Sequence, residues 1–174
     1  MAYPIVILLA YLLGCSNMAL YLSRLRKTDM SAGSGNLGAS NAVILMGWPA
    51  GIAVAVHDIG KAAAAVLLAE LVFPDAPYIG AVAGVSSVLG HIFPFYLRFK
   101  GGKGFASYLG MTLALNWKLA LVILALVVIV TVLSDYIVVG TVTTVIAVPV
   151  WSGISSGSVI FPLILLVATG VILY

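Results

Sequence analysis

The sequence has very little charge. Only 7% of its 174 residues are Asp, Glu, Lys or Arg, whereas 63% are hydrophobic. An ordinary soluble domain carries about 25% charged residues, so this composition excludes a soluble fold. A membrane-spanning helix needs roughly 20 mostly apolar residues, which leaves room for about seven spans and for no soluble domain of any size. The sequence therefore predicts an all-α integral membrane protein, a bundle of about seven transmembrane helices.

Other features are scarce or absent. The single cysteine, Cys15, cannot form an intramolecular disulfide and is read as a small residue at a helix contact. The first apolar run lacks a basic n-region and a convincing cleavage site, so it is not read as a removable signal peptide. There is no internal repeat and no low-complexity linker, which predicts one domain over residues 1–174. The net charge of +3 is small and gives no indication of nucleic-acid binding.

Apolar runs and their interruptions predict the helices. The predicted spans are, approximately, Tyr3 to Leu25, Trp48 to Val72 after a short lead-in from Ala42 to Met46, Tyr78 to Tyr96, Gly104 to Asn116, Leu119 to Leu133, Tyr136 to Val150, and Ser158 to Tyr174. Trp117 and Lys118 are typical of interfacial anchors.

Basic residues predict the orientation. Three cations follow the first span and three follow the third, at Arg24, Arg26, Lys27, Arg98, Lys100 and Lys103. Because these loops are two crossings apart, they share one side of the membrane, which the positive-inside rule assigns to the cytoplasm. We therefore expect the N-terminus outside and, with seven spans, the C-terminus inside.

Ionisable residues within the predicted spans are expensive to keep there. Asp58 and Lys61 are three residues apart on one helix face and can neutralise each other, either as a structural pair or as polar groups that reach a ligand. In the third span, Gly80, Gly84, Ser87 and His91 form one stripe, whose small residues allow close approach of another helix. His91 is then expected to point into the bundle, where it either supports the following loop or transfers protons.

Two glycine-rich loops are candidates for anion binding. SAGSGNLGASN, residues 31–41, combines a flexible backbone with hydroxyl and amide groups at Ser34, Asn36, Ser40 and Asn41. FKGGKG, residues 99–104, combines glycines with two lysines immediately before a helix N-terminus, where an anion is favoured. A nucleotide-binding loop G-x-x-x-x-G-K-[ST] is absent. The first loop alone is equally typical of a flexible connector. Together, on one membrane face, the two loops predict a site for two phosphate-bearing ligands or for one ligand held from both sides, which suits an amphiphile at the membrane surface.

These loops resemble a known family. GSGNLGASN is similar to G-S-G-N-x-G-A-T-N, and GHIFPFYLRFKGGKGFAS to G-H-x-F-P-x-x-x-x-F-K-G-G-K-G-x-A-T. These are motifs of the bacterial membrane glycerol-3-phosphate acyltransferases that use acyl phosphate. AYLLGCSN resembles the family's first helix, and HDIGK resembles its L-D-x-x-K-G segment.

The resemblance implies a seven-helix enzyme of the bacterial inner membrane, with its active site facing the cytoplasm. It implies transfer of a fatty acyl group from acyl phosphate to the sn-1 hydroxyl of glycerol 3-phosphate, giving lysophosphatidic acid, by a monomer among membrane lipids, without metal or cofactor. The predicted catalytic residues are Ser34, Lys103 and His91. The predicted substrate-binding residues are Gly33, Gly35, Asn36, Asn41, Asp58, Lys61, Lys100, Gly101, Gly102, Gly104 and Ser107.

The sequence also departs from the family pattern. Ile44 and Asp135 occupy positions where the family carries arginines, and the family's H-R-E-N tail would follow Tyr174, where this sequence ends. We therefore expect a divergent or C-terminally truncated member. The alternatives are a catalytically impaired homologue that binds acyl phosphate or phospholipid head groups and, less favoured by the intact FKGGKG loop, a small transporter.

Overall fold

The computed structural model describes all residues, 1–174, and its regular elements are helices. They are α1 (Ala2–Gly14), α2 (Met18–Arg26), α3 (Ala39–Met46), α4 (Trp48–Val72), α5 (Ile79–Ile92), a 3₁₀ turn (Phe95–Leu97), α6 (Phe105–Leu115), α7 (Trp117–Ser134), α8 (Ile137–Ser156) and α9 (Ile160–Leu173).

Five helical segments are long and apolar enough to cross a membrane: the combined stretch Ala2–Arg26, then Trp48–Val72, Ile79–Leu97, Trp117–Ser134 and Ile137–Ser156. The two remaining apolar helices, α6 and α9, are shorter. The all-helical membrane architecture is thus confirmed, and each predicted span corresponds to a helical segment. The number of seven crossings stays a prediction, because α6 and α9 are short for a full crossing.

The first predicted span is interrupted, so the expectation of one continuous helix from Tyr3 to Leu25 was wrong. The chain leaves the helix at Cys15 to Asn17. Asn17 adopts an extended conformation, and its side-chain oxygen accepts a 2.9 Å hydrogen bond from the N–H of Leu20, which caps α2. An asparagine cap satisfies an N–H at the start of a helix, and it gives the chain a local reason to restart there.

Other predicted segments differ in detail. The α-helix of the third span ends at Ile92, because Pro94 disfavours a helical conformation at the preceding residue, and the span itself continues through the 3₁₀ turn to Leu97, one residue beyond the predicted Tyr96. The sixth continues past Val150 to Ser156 despite the proline at position 149. The lead-in before α4 is a helix in its own right, α3, separated from α4 by Gly47 at a φ of 84°.

Helices α1 and α5 pack in close backbone contact. A Cβ atom at Gly14 would collide with the carbonyl group of Ser87, and one at Gly90 would collide with the carbonyl of Tyr11. The predicted stripe takes part in helix packing: Ser87 meets Gly14 of α1, Gly84 faces Met111 of α6, and Gly80 faces Glu70 of α4. Only glycines permit the observed backbone approach, which places the end of α5 directly against the break after α1.

The order of the helices brings both glycine loops to one end of the bundle. The Tyr3 hydroxyl donates a 3.0 Å hydrogen bond to the carbonyl of Pro77 at the opposite end. From these ends α1 and α5 run in the same direction, and each leads to one of the loops. The approach of Gly102 to the carbonyl of Leu37 places the two loops at a common end, while the assignment of this end to the cytoplasm stays a prediction.

Candidate active site

The two glycine loops meet at Gly102. A Cβ atom there would lie 3.1 Å from the carbonyl oxygen of Leu37 in the first loop, and it would collide with the imidazole of His91. The side-chain amide of Asn17 donates a 3.4 Å hydrogen bond to the same Leu37 carbonyl. The interruption after α1, the first loop, the second loop and the end of α5 therefore converge on one point, which we call the loop junction.

The second loop is fastened to the end of α5 by its backbone. The N–H of Gly101 donates to the carbonyl of Ile92 at 2.9 Å, and that of Gly102 to the carbonyl of His91 at 3.2 Å. Arg98 and Phe99 both have positive φ angles, 53° and 60°. Such angles are uncommon outside glycine, so the turn before the glycines is tightly constrained by its surroundings.

Beyond Gly102 the backbone donors are free. The N–H groups of residues 103 to 107 have no acceptor in the chain, and α6 begins in this run after Gly104, whose φ is 84°. The hydroxyl of Ser107, in the first turn of α6, is fully buried and also has no partner. Unsatisfied N–H groups and the positive end of the helix dipole favour an anion, and a buried hydroxyl without a partner is unusual. The residues present thus form a cradle suited to phosphate.

The first loop is organised by Asn41, which is fully buried at the start of α3. Its side-chain oxygen accepts from the N–H of Ser34 at 2.9 Å, and its amide donates to the carbonyls of Met30 at 3.0 Å and Ala32 at 3.3 Å. A Cβ atom at Gly33 would collide with this side chain. Asn41 therefore has its hydrogen-bonding groups engaged within the loop and holds the backbone of Ser34 in place.

The base of the first loop carries an acidic group with its own local hydrogen bonds. The Asp29 carboxylate accepts from the backbone N–H of Ser31 at 2.9 Å and from the Ser31 hydroxyl at 2.8 Å. These two hydrogen bonds, the backbone one first, lower the pKa of Asp29 below its usual value. Asp29 is exposed and ionised, and it fixes the turn that leads into the glycines.

Beneath the loops lies a buried polar cluster. The Lys61 ammonium lies 2.9 Å from Oδ1 of Asp58, 2.8 Å from Nδ1 of His91 and 2.6 Å from the carbonyl oxygen of Ser16. The side chains of Asp58, Lys61 and His91 are at most 3% exposed. His57 lies at the edge of this cluster, where its Nε2 contacts the Ser16 hydroxyl at 3.0 Å. The expectation that His91 points into the bundle is confirmed.

The predicted site residues fall into two groups. Those with exposed or half-buried positions around the loops are Gly33, Ser34, Gly35, Asn36, Lys100, Gly101 and Lys103. Those that are buried are Asn41, Asp58, Lys61, His91, Gly102, Gly104 and Ser107. Among the buried residues, Asn41, Asp58 and Lys61 have their polar groups engaged by protein partners, which favours positioning roles for them over direct contact with substrate. His91 is engaged through Nδ1 alone.

Sequence reasoning gave no role to Ser16, Asn17 and Leu37. The signal for the first two was present, since a hydroxyl or an amide side chain inside a long apolar run is costly unless it is satisfied. Leu37 contributes through its carbonyl, which the side chain does not reveal. The loop junction could therefore be foreseen at its glycines but not at its backbone acceptor.

Comparison with known proteins identifies the family. The sequence matches the family described as glycerol-3-phosphate acyltransferase over residues 4–174. The chain belongs to this family. It is 36% identical to glycerol-3-phosphate acyltransferase 1 of Oceanobacillus iheyensis over 149 residues, covering 80% of this chain and 72% of the relative. It is 35% identical to the glycerol-3-phosphate acyltransferase of Coxiella burnetii over 169 residues, covering 95% and 87% respectively.

The fold agrees with solved structures of this acyltransferase family. The crystal structure of PlsY, an integral membrane glycerol 3-phosphate acyltransferase, in its glycerol 3-phosphate form superposes with a TM-score of 0.92 at 27% identity, covering all of this chain and 88% of that one. The lysophosphatidic acid form superposes with a TM-score of 0.90, covering 87% of its chain. The resemblance to glycerol-3-phosphate acyltransferases inferred from the loop motifs is confirmed, and the protein is an integral membrane acyltransferase.

Proposed function

We propose that the chain transfers a fatty acyl group from acyl phosphate to the sn-1 hydroxyl of glycerol 3-phosphate, giving lysophosphatidic acid. The observation that carries this proposal is the run of free N–H groups from residue 103 to residue 107, beside the unpartnered Ser107 hydroxyl. A phosphoryl group offers several strong acceptor oxygens, and it can satisfy these donors together.

The acyl donor, acyl phosphate, fits the second loop. The Lys103 side chain is exposed beside the cradle and supplies a positive charge that pairs with phosphate. Lys100 lies on the approach to it, and Gly101, Gly102 and Gly104 allow the backbone to come close to the ligand. Transfer of the acyl group leaves inorganic phosphate in the cradle. The N–H hydrogen-bond donors that stabilise the negative charge growing on this phosphate therefore lower the barrier to transfer.

The acyl acceptor, glycerol 3-phosphate, fits the first loop. Ser34, Asn36 and the free N–H groups of residues 36 to 41 lie on the other side of the loop junction. In the reaction the acceptor hydroxyl oxygen bonds to the acyl carbon, and the carbon–oxygen bond to the phosphate breaks. The hydroxyl proton leaves with a phosphate group that acts as the base. The acyl phosphate is a reactive mixed anhydride, so the protein acts mainly by placing the two substrates together.

The orientation in the membrane is inferred from the charges of the loops. The basic residues at the loop end favour a cytoplasmic orientation of this end in the bacterial inner membrane. The acyl chain then stays among membrane lipids while the phosphate enters the cradle. The chain is proposed to act as a monomer.

Purified protein in lipid, given palmitoyl phosphate and labelled glycerol 3-phosphate, tests the proposal. Labelled lysophosphatidic acid is expected from the wild type and from Lys118→Ala, an exposed lysine in the first turn of α7, but not from Lys103→Ala. Binding of palmitoyl phosphate without product would support the non-catalytic homologue. Solute flux in liposomes, without product formation and without binding of palmitoyl phosphate, would support the transporter.

A further inference from the structure

The hydrogen-bond partners of Lys61 fix the proton on a neighbouring ring. Its nitrogen has three acceptors within reach: the carbonyl of Ser16 at 2.6 Å, Nδ1 of His91 at 2.8 Å and Oδ1 of Asp58 at 2.9 Å. An ammonium group has three hydrogens and no lone pair, so it donates in all of its hydrogen bonds. The three contacts match an ammonium that donates once to each neighbour.

The charges in the cluster support this assignment. The Asp58 carboxylate is closer to Lys61, at 2.9 Å, than to Nδ1 of His91 or of His57, both at 3.4 Å. Lys61 is therefore its principal counter-ion. A second positive charge on His91 would face the ammonium across 2.8 Å and would break their hydrogen bond. The ring of His91 is neutral in this arrangement, and its Nδ1 is an acceptor.

A neutral imidazole whose Nδ1 accepts carries its hydrogen on Nε2. In His91, Nε2 lies against Gly102 at the loop junction, where a Cβ atom at position 102 would collide with it. The Nε2 atom has no hydrogen-bond partner in the chain, although the side chain is only 3% exposed. Nε2 is not among the buried polar atoms without a partner, so it is accessible to a ligand at the loop junction. It lies against Gly102, which directly precedes the free donors of residues 103 to 107.

We propose that His91 is a neutral Nε2–H donor to a phosphoryl oxygen at the loop junction, and that Lys61 is the positioning residue that sets this tautomer. The proposal rests on the proposed function in one respect, that the ligand there bears a phosphoryl group. It assigns no base role to His91: Nδ1 is occupied by Lys61, and Nε2 already carries a proton. Gly102 is a glycine because any larger residue would fill the space in front of this donor.

Nitrogen-15 NMR of the full chain labelled at histidine tests the tautomer directly. The chain has two histidines, and His57→Gln assigns the signals. We expect the His91 Nδ1 signal to be that of an unprotonated ring nitrogen and the Nε2 signal to be that of a protonated one, and we expect inorganic phosphate to shift Nε2. A proton on Nδ1, a doubly protonated ring, or no response of Nε2 to phosphate would overturn the proposal.

Replacement of His91 by glutamine or asparagine tests whether the Nε2–H hydrogen-bond donor contributes to catalysis. Glutamine places an N–H close to the position of Nε2, whereas asparagine reaches only the position of Nδ1, and neither amide is a base. We expect His91→Gln to keep activity within about tenfold of the wild type, and His91→Asn and His91→Ala to lose about 100-fold or more, as removal of an oxyanion donor does. Equal loss in all three folded variants would overturn the donor role.

The Michaelis constants identify the phosphoryl group that His91 contacts. In His91→Asn, a raised KM for palmitoyl phosphate with an unchanged KM for glycerol 3-phosphate assigns the contact to the donor, and the reverse result assigns it to the acceptor. An unchanged KM for both with lowered kcat places the contact in the transition state. If the wild type makes no product, the proposed function fails, while the NMR measurements still decide the tautomer and the contact with phosphate.

Discussion

The ammonium of Lys61 donates a 2.6 Å hydrogen bond to the carbonyl of Ser16, the residue at which the first span is interrupted. A break in a helix frees backbone carbonyls, which must find donors when they lie within the membrane. Lys61, from the middle of α4, supplies such a donor and at the same time contacts Asp58 and His91. One side chain therefore connects the interrupted helix to the base of the loop junction.

Lys61→Met is expected to destabilise the protein by about 3–5 kcal/mol, because it leaves the Asp58 carboxylate buried without its principal partner. The double variant Asp58→Leu with Lys61→Met removes both charges and is expected to recover part of this loss. Thermal unfolding in detergent measures both. Equal destabilisation of the single and the double variant would show that the ion pair is not the source of the effect.

Gly102→Ala is expected to abolish most of the acyltransferase activity while leaving the helix content unchanged. Its Cβ atom collides with the imidazole of His91 and approaches the carbonyl of Leu37 to 3.1 Å, so the two loops must separate. Gly60→Ala is the matched control, since a Cβ atom at Gly60 meets nothing within 4 Å. Circular dichroism and product formation are measured on both variants, and an active Gly102→Ala enzyme would contradict the geometry of the junction.

Asn41→Ala is expected to loosen the first loop. The variant loses three hydrogen bonds, to Ser34, Met30 and Ala32, each contributing about 1 kcal/mol. Limited proteolysis between residues 27 and 38 is expected to become faster, and the activity is expected to fall. Asn116→Ala removes the cap of α7, a change that costs about 1 kcal/mol, and it serves as the control: cleavage of the first loop should not change in it.

The Asp29 carboxyl is expected to titrate below the usual value near pH 4 for an aspartate. Its pKa is lowered in the folded state, so the order that it gives the loop is complete above the unfolded pKa and is lost as the pH falls through the folded pKa. In Ser31→Ala the backbone N–H remains and only the hydrogen bond from the hydroxyl is lost. The pKa of Asp29 is therefore expected to rise part of the way towards its usual value. Carbon-13 NMR of the carboxyl measures both titrations, and an unchanged pKa in the variant would contradict a contribution from the hydroxyl.

Hydrophobic length predicted α4 without error from Trp48 to Val72, because a long apolar run between Gly47 and Phe73 has few alternatives in a membrane. The same criterion failed at the first span. There the apolar residues continue through Gly14 and Cys15, and the break depends on the Asn17 cap and on a tertiary partner, Lys61, which lies far away in sequence. Hydropathy reports the preference for lipid and carries no information about such partners.

The motifs predicted which loops form the candidate site, but they did not predict the role of each side chain in it. The glycines of both loops indicated close backbone approach, and Gly102 provides it. The roles of individual side chains depend on which hydrogen bonds the fold has already used. Asn41 and Lys61 look available in the sequence, yet their polar groups are engaged within the protein. Only three-dimensional contacts separate these residues from Ser107, whose hydroxyl is free.

The free N–H groups at the start of α6 exist before any substrate arrives. Folding has already ordered these donors, held by Gly101 and Gly102 on the end of α5, so an incoming phosphate need not wait for the loop to rearrange. In the proposed reaction the same ordered donors also hold the departing phosphate, and we expect its release to contribute to the rate of turnover.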